Sequence, residues 1–170
     1  MGWRGLVTVG IAPDGALAEV AAGFSLDIAV LERAHGVDAV ELALRSAEGA
    51  EGPEPSGREG RAAVAAQLRS TLPPGTAGRV TGRLPGRHRT TAPDDVDVVA
   101  VDGYEPGDRL DGWYDALLAT VSAAAPHTRA AAAALSDVLS ALPETGLPHD
   151  GPEVSAVLTR LAAGRSVPAP

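Results

Sequence analysis

Hydrophobic residues alternate with polar or small ones in several short stretches of the first half of the chain, the period-2 signature of half-buried strands. Leu6, Val7, Thr8, Val9, Gly10 and Ile11 form the first such stretch. Pro13-Asp14-Gly15 follows as a turn, proline presetting φ and glycine accepting a positive φ, so Ala16 to Ala21 is read as a returning strand, with a helix over Ala16 to Ala22 as the rival. Phe24, Leu26, Ile28 and Val30 then alternate with Ser25, Asp27 and Ala29 and predict a strand. Val40 to Arg45 repeats the alternation after His35-Gly36, so this part of the chain reads as an antiparallel meander.

Residues 47–57, rich in Gly, Glu and Pro, predict a mobile loop. Ser56-Gly57-Arg58-Glu59 has the spacing of a capping box, and Val64, Leu68 and Leu72 recur every four residues, so a helix is expected over Arg58 to Leu72, stopped by Pro73-Pro74-Gly75. Short strands are expected over Arg79 to Leu84 and, more deeply buried, over Val96 to Val101. The period then changes to 3.6. Asp108 is placed to cap a helix with the stripe Leu110, Trp113, Leu117 and Val121. Pro126 opens a second with Leu135, Val138, Leu139 and Leu142, ended by Pro143, and a third, with Asp150 as cap and Pro152 in its first turn, carries Val154, Val157, Leu158 and Leu161. Residues 166–170 read as a tail.

These elements predict an α+β fold, a mostly antiparallel sheet of about five strands packed against three or four helices, with the C-terminal third all helical. The alternative is an α/β arrangement in which residues 13–36 form a crossover helix and the N-terminal half becomes a βαβ unit. A chain of 170 residues is long enough for one domain with its own core, and residues 1–165 are read as that domain.

Composition narrows the chemistry. All 14 basic residues are arginine, lysine and asparagine are absent, and alanine and glycine abound, the mark of a GC-rich bacterial genome. With Cys 0, thiolate nucleophiles and cysteine metal sites are excluded, and without lysine so are Schiff-base chemistry and a Walker-type phosphate lysine. No dinucleotide-binding, nucleophile-elbow or zincin motif occurs, and no cofactor is expected. The formal net charge of −8 argues against a general nucleic-acid binder. No apolar run approaches the length of a membrane span and the first residues do not resemble a leader, which predicts a soluble cytoplasmic protein without a membrane partner.

Against this acidic background Arg79, Arg83, Arg87 and Arg89, with His88 among them, form a basic cluster suited to a phosphate or carboxylate ligand; the alternative is a solvated hairpin. Asp94, Asp95, Asp97 and Asp102 flank the 96–101 strand, and Asp95 with Asp97 would share one of its sides, as oxygen ligands to a divalent ion do, although the pattern suits turn and edge positions equally and no metal is assigned. His88, Asp97 and Asp102 are candidate acid–base groups. Asp108, Asp111 and Asp115 would line one wet helix face. Trp113 and Tyr114 are adjacent in an aromatic-poor chain and are candidates for a partner surface, with core packing of Trp113 as the alternative. Two functions follow. The first is a non-catalytic accessory or binding protein acting through a protein partner or a homo-oligomer; the second is a small enzyme or ligand-binding protein holding an anionic small molecule on the arginine cluster. The residues leave open whether the chain is an enzyme.

Overall fold

The computed structural model describes residues 6–12, 14–50, 61–83, 90–92, 95–113, 117–142 and 144–165. Contacts divide the chain into two compact units, Met1–Gly60 and Arg61–Pro170.

In the first unit β1 (Val7–Ile11) and β2 (Leu17–Ala22) pair antiparallel, as their alternation predicts. The Asp14 carboxylate accepts the Ala16 N–H at 3.0 Å and Gly15 takes φ 84°, which closes the turn between them. The register Val7↔Ala22, Val9↔Val20 and Ile11↔Leu17 gathers the apolar side chains on one face of this ribbon, and Val9, Ile11, Leu17 and Val20 remain about half exposed or more.

The two strands expected next are helices. α1 covers Leu26–His35 and α2 covers Ala39–Glu48. Local chemistry explains the difference. Asp38 is the N-cap of α2, its carboxylate accepting the Glu41 N–H at 2.8 Å, and Gly36 and Gly49 end the two helices with φ of 67° and 78°, which glycine adopts without steric cost. Glu32 reaches from α1 to accept the Ala39 N–H at 2.9 Å, so one side chain links the two helices. Ala47 and Glu48, expected in a loop, complete α2, and the remainder of that loop from residue 51, with the capping box at 56–59, lies outside the described residues.

The second unit contains β3 (Ala62–Arg69), β4 (Ala77–Arg79), β5 (Thr90–Ala92), β6 (Val96–Asp102), β7 (Arg109–Asp111), β8 (Leu117–Ala125), α3 (Thr128–Ser140) and α4 (Gly151–Ala162). A four-stranded sheet runs in the order β3-β8-β6-β5 with every pairing antiparallel, and β4 and β7 form a separate antiparallel ribbon. No parallel pair occurs among the described residues, so the βαβ alternative is not what the chain adopts. The fold is α+β: the described residues form four helices and a mostly antiparallel sheet, and α3 and α4 are the last of these elements.

Two predicted helices are corrected. The segment expected as a helix over 58–72 contains β3, and the one expected over 108–121 contains β7 and the start of β8. Alanine causes the ambiguity, because Ala62, Val64, Ala66 and Leu68 satisfy a period of two as well as Val64, Leu68 and Leu72 satisfy a period near four. Pairing with the centre of the sheet decides between them. The strand expected over 79–84 keeps only Arg79 inside β4, and Leu84 lies outside the described residues. Residues 166–170 also lie outside them.

The core of this unit lies between the sheet and α3, which packs on β8, β3 and β6, while α4 packs on α3 and β3. Leu68, Val121 and Leu135 are fully buried there, together with Ala123, Ala125, Ala131 and Ala132. Alanines on both partners let the helix backbone approach the sheet closely. Ser136 on α3 meets α4 through hydroxyl contacts of 3.0 Å to Ser155 and 2.9 Å to Thr159. Asp150 occupies the N-cap of α4 but makes no side-chain cap bond; its carboxylate accepts the Arg69 N–H at 2.8 Å and so ties the helix start to the end of β3. No helix among the described residues is long and apolar enough to cross a membrane.

Candidate anion-binding site

The basic cluster begins on the β4–β7 ribbon. Its three-pair register sets Ala77 opposite Asp111, Gly78 opposite Leu110 and Arg79 opposite Arg109. Leu110 is buried, and a Cβ on Gly78 would collide with the Leu147 side chain, so the Gly78–Leu110 side of the ribbon is pressed into the protein. Successive strand residues face opposite ways, which turns Arg79, Arg109, Ala77 and Asp111 outward, and all four are exposed. Gly82 and Gly112 permit the close approach that holds the ribbon: a Cβ on either would collide with a main-chain oxygen, that of Glu144 or of Pro73.

Arg79 donates through Nη1 to the Gly107 carbonyl, and Arg83 is exposed a few residues further on. Arg87, His88 and Arg89 lie outside the described residues. Arg109, which sequence reasoning left out, is brought directly across from Arg79. No spacing signals this, because the two residues belong to strands far apart in the chain and only the ladder joins them.

The acidic candidates do not gather. Asp95 precedes β6 in a turn at φ 55°, where its carboxylate stands 3.3 Å from Arg61 Nη2, so it does not share a strand face with Asp97. Asp97 is buried near the start of β6, opposite Ala124, and Asp102 is exposed at its end, opposite Ala119. Five residues of strand place them about 17 Å apart and on opposite faces. Asp94 and Asp115 lie outside the described residues, and Asp108 and Asp111 belong to a turn and a strand rather than to a helix face. Among the described residues no three His, Asp or Glu side chains come together as metal ligands would.

Trp113 is 69% exposed in the turn between β7 and β8, so it is not the core residue of a helical stripe; Tyr114 lies outside the described residues. A shallow depression of about 450 Å³ lined by His127, Thr128 and Arg129 opens at the start of α3, where His127 Nδ1 accepts the Ala130 N–H at 3.2 Å.

No known family matches the chain and no curated protein is similar to it. Solved structures are. The chain is similar to the biotin carboxylase domain dimer of Hydrogenobacter thermophilus 2-oxoglutarate carboxylase in complex with MgADP, ADP and bicarbonate, at 17% identity and a TM-score of 0.69 over 94% of this chain and 36% of that one. A bicarbonate-bound biotin carboxylase domain of a thermophilic 2-oxoglutarate carboxylase gives 18% and 0.71 over 94% and 37%. The Campylobacter jejuni biotin carboxylase, in a β,γ-ATP complex, gives 15% and 0.71 over 94% and 38%. At such identities the likeness is one of fold, and this chain spans little more than a third of the length of these three. The chain shares its fold with a part of each of these solved structures. This corrects the expectation of a non-catalytic accessory protein, because the chains that share the fold are carboxylase domains described with nucleotides and bicarbonate.

Proposed function

We propose that the chain is an enzyme part or ligand-binding unit with a carboxylase-related ATP-binding fold, and that it takes a phosphate- or carboxylate-bearing small molecule. The observation that supports this best is the fold correspondence over 94% of the chain with biotin carboxylase domains, one of them described with ADP and bicarbonate. The arginines support it independently: in a chain of net charge −8, Arg79, Arg83, Arg87 and Arg89 fall within a short stretch, and guanidinium groups match planar and tetrahedral oxyanions with paired N–H donors.

In this reading the arginines attract and orient the anion, and one of His88, Asp97 and Asp102 moves a proton. Asp97 and Asp102 stand at opposite ends and faces of β6, so a single reacting centre uses one of them at most. The magnesium described with the Hydrogenobacter domain finds no set of three oxygen ligands among the described residues, and no step is routed through a metal. Two copies form the assembly described for that domain, which makes a homodimer the form to look for. The test is isothermal titration of the purified chain with ADP and with bicarbonate. Saturable binding of either, weakened by Arg83→Gln and Arg87→Gln, supports the reading; absence of binding to both rejects it.

A further inference from the structure

We infer that Arg79 and Arg109, opposed across the β4–β7 ribbon, form a two-guanidinium clamp for a phosphoryl oxyanion. The inference deepens the anion-binding reading above and rests on it. Four observations lead to it. The first is the register. Arg79 pairs with Arg109, and the Val80 N–H donates to the Asp108 carbonyl at 2.9 Å just beyond them. That bond makes Arg79 and Arg109 a non-hydrogen-bonded pair, in which the Cβ atoms of an antiparallel ladder come nearest, about 4.5–5.5 Å. Like charges so placed repel, and strands ordinarily set opposite charges or uncharged residues across from each other.

Second, no described carboxylate neutralises the pair. Among the described residues neither Arg79 nor Arg109 has a carboxylate within ion-pair distance, although the chain carries 22 acidic residues against 14 arginines. Third, the two carboxylates that flank Arg109 in the chain, Asp108 and Asp111, are turned to other tasks. Asp108 Oδ2 accepts the Glu105 N–H at 2.8 Å and Asp111 Oδ1 accepts the Trp113 N–H at 3.2 Å, so each fastens its own turn. Fourth, one arm of the clamp is oriented by the protein. Gly107, at φ 105°, points its carbonyl to Arg79 Nη1, which fixes one guanidinium edge and leaves the other donors of that side chain outward.

A tetrahedral oxyanion suits this geometry. Two planar forks rising from neighbouring Cβ atoms can each give paired N–H donors to different oxygens of one phosphoryl group, and its two negative charges relieve the repulsion between the arginines. The ribbon supplies rigidity, because Leu110 and Gly78 anchor its inner side. The same chemistry comes from free phosphate or from the phosphate chain of a nucleotide, and the experiment separates these sources.

The test is phosphorus NMR and isothermal titration of the full chain with inorganic phosphate and, separately, with ADP. Wild type is compared with Arg79→Gln, Arg109→Gln, the double variant, and Arg45→Gln, which removes the same charge from the exposed ion pair with Glu41. Circular dichroism of each variant confirms folding. The expected result is phosphate binding weakened about tenfold or more by either single change, little further by the double change, and not by Arg45→Gln. Equal weakening by Arg45→Gln and Arg109→Gln overturns the clamp, since it reduces the effect to net charge, and so does absence of phosphate binding to wild type. ADP binding that survives Arg109→Gln overturns the clamp while leaving the proposed function standing. Phosphate binding through the pair without binding of ADP or bicarbonate removes the carboxylase-related function and leaves the clamp.

Discussion

Leu135 is the side chain on which the packing of α3 against the sheet turns, and its truncation gives the most demanding test of the fold. It is fully buried on the helix face that meets β8, β3 and β6. Removing three carbon atoms from such a position loses their transfer free energy and leaves a cavity, a combined cost of about 2.7–5 kcal/mol in Leu→Ala series. The surroundings push the value upward within that range. Ala123, Ala131 and Ala132 have no flexible atoms with which to fill the space, and the sheet backbone beneath them is held on both edges of β8 by hydrogen-bonded neighbours. A loss of about 4 kcal/mol is therefore expected for Leu135→Ala, or a fall in Tm of about 10 °C for a chain of this size. Urea denaturation followed by circular dichroism measures it, with the midpoint lowered and the m-value unchanged. Val157→Ala on α4, at a position 42% exposed, serves as the control and should cost less than about 1 kcal/mol. A loss under about 1 kcal/mol for Leu135→Ala would refute the placement of α3 on the sheet.

Further expectations follow from single contacts. Asp150→Ala removes a partly buried charged acceptor from the Arg69 N–H and should cost about 1.5–3 kcal/mol in urea denaturation, whereas Asp150→Asn should restore part of it; equal stability of all three forms would sink the idea that Asp150 ties α4 to β3. Gly112→Ala forces a Cβ against the Pro73 carbonyl, and a destabilisation of about 1–3 kcal/mol is expected by the same assay, an unchanged midpoint being the contrary result. The half-exposed apolar face of the β1–β2 ribbon should bind the dye ANS in the native protein, and Val9→Asp with Val20→Asp should abolish that signal; fluorescence that persists in the double variant places the dye elsewhere.

How far the sequence could be read depended on which signals alanine leaves intact. α3 and α4 were legible because Pro126, Pro152 and the residues at their starts mark boundaries and leucines mark one face. β3 and β8 were not, because alanine fits a helix and a sheet core alike and only pairing between segments some fifty residues apart makes the choice. α1 and α2 carried visible helix signals, Asp38 three residues before Glu41 and glycines at both ends, that the alternation of Phe24, Leu26, Ile28 and Val30 outweighed in the reading. Caps were the better guide there, since a period-2 pattern over seven residues also places Leu26 and Val30 one helical turn apart. At the candidate site, a run of arginines is a local feature and could be seen; Arg109 could not, because register is a property of the folded ribbon. The absence of familiar catalytic motifs pointed away from enzymes for a different reason. Each of those motifs marks one chemistry, whereas the fold likeness to longer solved structures depends on none of them, so their absence from 170 residues had little force.

The measurement that bears most directly on the carboxylase-related reading is the thermal stability of the purified chain with and without ADP. A ligand that binds only the native state adds about 2.7 kcal/mol of stability at a hundredfold excess over Kd, so the account predicts a Tm that rises with ADP concentration and a rise that shrinks in Arg83→Gln and Arg87→Gln. A Tm that stays constant across the titration, with bicarbonate equally without effect, would contradict it.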